Sequence, residues 1–358
     1  MADARAHNEK AEREEAGFES VEAAFAHKTH SLLQVKDLDY YFDSYSQVGI
    51  HYDMLTDKTR TLCYKNAMVK SPQLFAGKCV MDIGCGTGIL SMFAASAGAS
   101  QVIAIEMASI INMARRIVAE NGLAQKIHFC SGKIEELVLP VQSVDVIVSE
   151  WMGYLLLYEG MFDSVIHARD RYLSPGGLLF PNREIIYVAG FENFRFADAA
   201  ADYHCYKGVD FGEFADVLYM MPDVDLVQSD ALITDEVNIQ EIDLQTVSVA
   251  ELDFRVEFKL RATKHGYVHG IALWFDSLFT HGNSTINLST SPNTTPTHWK
   301  QGLMYLRVPV PVHKDDEITA TLTLKKHVKN PRSLDLRLDY ALRNQTVDIC
   351  ETQYFIFK

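Results

Sequence analysis

Three glycines in five residues, Gly84, Gly86 and Gly88, stand between an apolar run, CVMDI (79–83), and a stretch of helical periodicity, ILSMFAASAG (89–98). In that stretch Ile89, Phe93 and Ala97 fall on one face and Gly98 takes the C-cap position. A buried strand, a glycine turn and a helix open a βαβ unit. Without Cβ atoms, the backbone N–H groups of such a turn approach a ligand closely. The spacing is GxGxG, and Ile89 occupies the place that GxGxxG would give to glycine. The turn therefore lacks the phosphate cradle of a dinucleotide site.

The pattern repeats downstream. QVIAIE (101–106) is a second strand ending on an acid, Glu106, placed to accept both hydroxyls of a ribose. That feature serves NAD or S-adenosylmethionine alike. Combined with Asp82 and the glycine spacing, it favours S-adenosylmethionine. SIINMARRIVAENG (109–122) is expected to be helical, with Ile110, Ala114 and Ile117 on one face and Asn121-Gly122 as its stop. IHFC (127–130) and VDVIVS (144–149) are two further buried strands. The alternation predicts an α/β domain with a parallel sheet covered on both faces.

At SPGGLLFP (174–181) the period changes to two. Leu252, Phe254, Val256, Phe258 and Leu260 alternate with polar residues, as do Ile318, Ala320, Leu322 and Leu324, and Leu334, Leu336, Leu338 and Tyr340. Such runs predict an antiparallel sandwich or barrel. The expected organisation is a flexible or weakly helical extension over 1–34, a cofactor-binding domain over 35–181 and an all-β domain over 182–358. Residues 191–214 form an aromatic insert that fits neither period.

The chain has 358 residues, 48% of them hydrophobic and 22% charged, the composition of a globular protein. A net charge of −14 disfavours nonspecific nucleic-acid binding and favours cationic partners. Apolar runs fall short of a membrane span, and the N-terminus has no apolar signal core. The six cysteines show no CxxC pair and no metal-ligand spacing, so reduced thiols and no metal are expected. Without a basic localisation run, the cytoplasm is the expected compartment and the nucleus the alternative.

SEWMGYLLLYE (149–159) begins where the fourth strand ends, the edge at which open α/β sheets bind ligands. Glu150 and Glu159 bracket an apolar, aromatic loop. Two carboxylates there are costly to bury unless they hold a cation. The plainer alternative has one capping the next helix and the other solvated.

This segment resembles the double-glutamate loop of the protein arginine N-methyltransferases. YFDSY (41–45), TDKTR (56–60), DIGCGTGILS (82–91), GKIEELVLP (132–140) and THWKQ (297–301) resemble the same family in order, over residues 37–358. The likeness is greatest to type I members without accessory domains, and HGIALWF (269–275) resembles the branch called protein arginine methyltransferase six. The resemblance implies a Rossmann-like S-adenosylmethionine-binding domain followed by an antiparallel β-barrel, with a helical dimerisation arm at about 191–214. It implies methyl transfer to protein arginine, giving mono- and asymmetric dimethylarginine with S-adenosylhomocysteine as by-product. The implied partners are arginine-rich proteins, such as glycine/arginine-rich or histone tails, and a second copy of the chain, with neither nucleic acid nor membrane.

The resemblance also implies residue roles. Arg60 would pair with the cofactor carboxylate, Glu106 with the ribose and Glu135 with the adenine amino group. Asp82 and the three glycines would shape that site, and Phe42 and His51 would close it. Glu150 and Glu159 would clamp the substrate guanidinium, with Met54 and Met161 beside the reacting nitrogen and Tyr45 and Tyr154 shaping the channel. His298 and Asp57 would carry the departing proton, and Trp299 would pack behind the loop. Three other readings are weaker: an NAD-dependent oxidoreductase, a silent arginine-binding scaffold and a small-molecule methyltransferase.

Overall fold

A computed structural model describes residues 39–344 and 347–358. The expected 1–34 extension lies outside the described residues. Helices α1 (Asp39–Ser44), α2 (Val48–Thr56) and α3 (Lys58–Val69) precede a parallel sheet. Among the described residues that sheet has five strands in the order β3-β2-β1-β4-β5. The strands are β1 (Cys79–Ile83), β2 (Gln101–Glu106), β3 (Ile127–Ser131), β4 (Val144–Ser149) and β5 (Leu173–Phe180). In β1, Val80 to Ile83 are all buried, because helices cover both faces. The strand order reverses between β1 and β4, so the crevice for a ligand opens at their carboxyl ends. Gly84, Glu106 and Glu150 all lie at that edge.

Strand β5 departs from the sequence expectation, which treated SPGGLLFP as the end of the domain. Its Pro-Gly-Gly is absorbed by a bulge: Val144 pairs with Leu173, and Val146 already pairs with Leu178. The helix faces also differ. In α4 (Ile89–Ser96) the buried residues are Leu90, Ser91, Ala94 and Ala95, whereas Ile89 and Phe93 are half-buried. Helix α5 (Ile111–Glu120) buries Ile111, Ala114 and Val118, and Ile117 stays half-buried. In α4 apolar residues cover most of the circumference, and in α5 Ile117 borders the buried stripe, so periodicity leaves the phase open by about one residue.

After α6 (Phe162–Tyr172) and β5 the chain becomes antiparallel. Strands β6 (Arg183–Phe191), β7 (Asp223–Asp225), β8 (Val237–Asp243), β10 (Gly266–Phe279), β11 (Ile286–Ser289) and β12 (Gln301–Val312) form one sheet. Strands β9 (Phe254–Arg261), β13 (Glu317–Lys326), β14 (Leu334–Arg343) and β15 (Asp348–Phe357) form the other. The alternation read from the sequence is realised in the pairs Ala320–Tyr340, Leu322–Leu338 and Leu324–Leu336, all buried. The two sheets meet at both edges. A Thr234–Ala262 bridge lies beside β8 and β9, and at the other edge the Gln353 carboxamide accepts from Arg307 N. The result is a barrel-like body. Its core is continuous with that of the parallel-sheet domain through Tyr64–Phe279 at 5.0 Å and Phe180–Phe279 at 6.2 Å between ring centroids.

The insert is helical, with α7 (Phe194–Asp202) and α8 (Gly212–Leu218). Its aromatics divide into two groups, which explains why neither period fitted. Phe191 is buried in β6, and Phe196 stacks on Tyr305 at 3.5 Å, so these two belong to the barrel. Phe194, Tyr206, Phe211 and Phe214 are 44–52% exposed.

Candidate active site

A cavity of about 370 Å³ opens at the carboxyl edge of β1, β2 and β4. One wall is the turn after β1. At Gly84 (φ 69°) a Cβ would lie 2.3 Å from Met161 Cε, and at Gly86 (φ 52°) it would press on the His51 ring at 3.4 Å. Only glycine leaves this wall open and adopts both left-handed conformations without penalty. Gly88 (φ 83°) lies outside the lining and turns the chain into α4.

Glu106 faces the same space. One carboxylate oxygen accepts from Gly86 N at 2.9 Å and the other from Ala108 N at 2.7 Å, which fixes the group's direction. Burial pushes its pKa up, against the pull of those two hydrogen bonds. Phe42, His51 and Glu135 also line the cavity; His51 Nε2 lies 2.8 Å from Tyr45 O, and Glu135 accepts from Ser164 Oγ at 2.6 Å. Asp82 does not line it. Its carboxyl is buried beneath the turn, accepts from Ser91 Oγ at 2.6 Å and is pushed up to about 7 by burial. It therefore supports the glycine turn from behind.

The opposite wall is the loop after β4. Leu155, Leu156 and Leu157 are buried and anchor it, leaving a glutamate near each end. The loop coils tightly. Leu155 (φ 52°), Leu156 (φ 67°) and Glu159 (φ 77°) are left-handed, a strain of the kind concentrated at functional sites. At Gly153 a Cβ would sit 1.9 Å from Tyr158 O. Both Glu150 and Glu159 line the cavity. Glu150 Oε2 accepts from Arg60 Nε at 2.9 Å and lies 2.8 Å from Arg60 Nη2. Glu159 Oε2 accepts from the Tyr45 hydroxyl at 2.7 Å. Burial pushes Glu159 up to about 7; Tyr45 draws it down, Glu150 adds to the rise and Arg332 opposes it. Met54 and Met161 complete the wall.

Besides Gly88 and Asp82, four expected residues lie outside the lining. Tyr154 is directed away, stacked on Tyr158 and edge-on to Phe357. Trp299 donates Nε1–H to Met152 O at 2.7 Å and so braces the loop from behind. Asp57 and His298 form a half-buried pair, Oδ2 to Nδ1 at 2.8 Å, linked to the cavity through Arg60, whose N–H Asp57 caps at 2.9 Å. Burial pushes Asp57 up, but hydrogen bonds from His298 and Arg60 outweigh it and leave the carboxyl below its usual range. As expected from the sequence, Arg60 lines the cavity, but in this structure its guanidinium is engaged by Glu150. Among the lining residues that the sequence did not single out, Arg332 comes from the β13–β14 turn of the barrel. Among the described residues no group of three or more His, Cys, Asp or Glu is placed to hold a metal.

Family comparisons agree with this geometry. Residues 80–177 match the model described as "Methyltransferase domain", and residues 182–345 match "Arginine methyltransferase oligomerization subdomain". Protein arginine N-methyltransferase 1 of Dictyostelium discoideum is 41% identical over 86% of this chain and 90% of its own length. The Schizosaccharomyces pombe protein of that name is 44% identical over 85% and 89%. The Trypanosoma brucei PRMT1 enzyme-prozyme heterotetrameric complex with AdoHcy superimposes with a TM-score of 0.86 at 37% identity, covering 88% of this chain and 100% of that one. A structure of PRMT6 with SAH gives 0.69 at 26%, covering 83% and 100%. The likeness thus lies with proteins named protein arginine N-methyltransferase 1, and the expected affinity to branch six is not supported. The chain belongs to the protein arginine N-methyltransferase family.

Proposed function

We propose that this chain methylates arginine in proteins, using S-adenosylmethionine, to give monomethyl- and then asymmetric dimethylarginine. The observation that carries the reading is the placing of Glu150 and Glu159 on one wall of the cavity, joined to the glycine turn by the Met161–Gly84 contact. Buried carboxylates facing one space call for cationic partners, and Arg60 meets only Glu150. Guanidinium, with its planar fork of donors, can serve both at once.

The open turn at Gly84 and Gly86, and Glu106 with both oxygens fixed, fit an adenosyl ligand. Glu135, Phe42 and His51 line the remainder, and Arg60 is the cation for the ligand's carboxylate. When bound, that ligand supplies an electrophilic methyl on a sulfonium. The chain's residues supply position and charge. Arginine carries its positive charge over three nitrogens and has no free lone pair. Hydrogen bonds from two of its nitrogens to Glu150 and Glu159 draw charge from the third and hold it in line. Glu159, with its carboxyl near neutrality, is the group in the cavity best able to take the departing proton. The Asp57–His298 pair is the second route, one step removed through Arg60.

Met54 and Met161 are slim and flexible, leaving space for a monomethylated arginine to return. The substrates proposed are glycine/arginine-rich or histone tails, drawn by the net charge of −14. The exposed aromatics of α7 and α8 support a homodimer, and six free thiols support the cytoplasm. The test is transfer of labelled methyl from S-adenosylmethionine to a glycine/arginine-rich peptide and to its lysine-for-arginine counterpart. Label on the arginine peptide alone is expected, and equal labelling of both would refute the clamp.

A further inference from the structure

Arg332 lies in a turn of the barrel, 173 residues from Glu159, yet the two segments exchange main-chain and side-chain bonds. Glu159 N–H donates to Arg332 O at 2.8 Å, and Arg332 Nη1 donates back to Glu159 O at 2.5 Å. The guanidinium also lies 3.8 Å from the centre of the Tyr41 ring and 5.2 Å from that of Phe42, both on α1. Tyr45, the residue that follows this helix, reaches Glu159 through its hydroxyl. The barrel turn is pressed close: a Cβ on Gly160 would meet Pro331 O at 2.9 Å. An ion pair of Lys326 with Asp163 and a hydrogen bond between His327 and Asp335 brace the turn.

We propose that Arg332 is a positioning residue for methyl transfer. It couples the seating of α1 over the cofactor pocket to the placing of Glu159 for the substrate guanidinium. The helix that contributes Phe42 to the cofactor side and the loop that contributes Glu159 to the substrate side share no other barrel side chain among the described contacts. Arginine suits the task because one planar group can lie over the Tyr41 ring, beside Phe42, while its edge donates to a carbonyl. Lysine would keep the charge but lose the stacked plane. The charge has its own effect. The groups facing the Glu159 carboxyl are Tyr41 from α1, Tyr45 just after it, Glu150 from its own loop and Arg332 from the barrel, the last being the cation among them. Arg332 thus favours the ionised clamp.

This inference rests on the arginine-methyltransferase reading, and the experiment separates the two. The full chain is assayed with S-adenosylmethionine and a glycine/arginine-rich peptide across the neutral pH range, as wild type, R332Q and R332K. No turnover by the wild type would refute the functional reading itself. Given wild-type turnover, R332Q should lose about tenfold or more in kcat/KM near pH 7, with the acid limb moved up by about one pH unit, the size of shift a neighbouring opposite charge produces. R332K should keep the acid limb in place while losing part of kcat. Wild-type kcat/KM and an unmoved limb in R332Q would overturn the proposal. So would equal losses in both variants with unmoved limbs, the sign of a merely structural residue. Should R332Q fail to fold, R332K decides alone. Reduced kcat at unchanged melting temperature supports the proposal, and wild-type kcat overturns it.

Discussion

The Tyr45 hydroxyl donates to Glu159 Oε2 at 2.7 Å, joining residues 114 apart in sequence at the mouth of one cavity. The hydrogen bond favours the charged carboxylate and opposes the burial that brings Glu159 to about 7. The clamp binds a cation, so kcat/KM should fall as pH drops through about 7 and Glu159 takes up a proton. Removing the donor in Y45F raises that pKa, so the acid limb should move to higher pH. A pH–rate profile of both proteins checks this; an unmoved limb in Y45F would show that another group titrates.

The clamp itself is tested by E150Q and E159Q. Each keeps shape and removes charge, so turnover should fall by about a hundredfold or more, the range seen when one preorganised electrostatic contact is lost. The glycine turn and Glu106 are untouched, and calorimetric affinity for S-adenosylhomocysteine should stay within a few-fold of wild type for E159Q. E150Q frees Arg60 and should alter that affinity more. Normal turnover in both would remove the two carboxylates from the mechanism.

Asp57 ties two domains together. It caps α3 through Arg60 N and accepts from both the ring and main-chain N–H of His298. Loss of the cap and the pair in D57A should cost about 1–2 kcal/mol in chemical denaturation. Because the Asp57 carboxyl is held below its usual range, its contribution is present above that range and is lost as pH falls through the folded-state value. Unchanged stability in D57A at neutral pH would show that the pair is ornamental to the fold.

What the sequence reveals follows from how local each signal is. The glycine turn, Glu106 and Glu150 are legible because each directly follows an apolar strand, and strand ends are where a parallel sheet binds ligands. The three alternating runs of the barrel are legible for the same local reason, one face being buried. Strand β5 is hidden by Pro175-Gly176-Gly177, which reads as a turn and is in fact taken up by a bulge. Helices α7 and α8 are hidden because Phe191 and Phe196 serve the barrel while their neighbours face outward. Arg332 carries no local signal at all. A single arginine in a polar turn acquires meaning only when the fold carries it to Glu159 and Tyr41.

The outward aromatics of the insert make a quantitative case for assembly. Phe194, Tyr206, Phe211 and Phe214 are each at least 44% exposed, an apolar patch of the kind that marks contacts. The full chain should scatter light as a homodimer at micromolar concentration. Tyr206, Phe211 and Phe214 changed together to serine should give a monomer with reduced turnover. A dimer that survives this change would place the interface elsewhere.

Mass spectrometry of a glycine/arginine-rich peptide, run to completion with S-adenosylmethionine, reads residue, chemistry and product at once. Glu150 and Glu159 around one guanidinium, with Met54 and Met161 leaving space beside it, should yield monomethylarginine first and then asymmetric dimethylarginine, with both methyls on one nitrogen. Fragments showing symmetric dimethylarginine, reaction halted at one methyl, or methyl on any residue other than arginine would contradict this reading of the site.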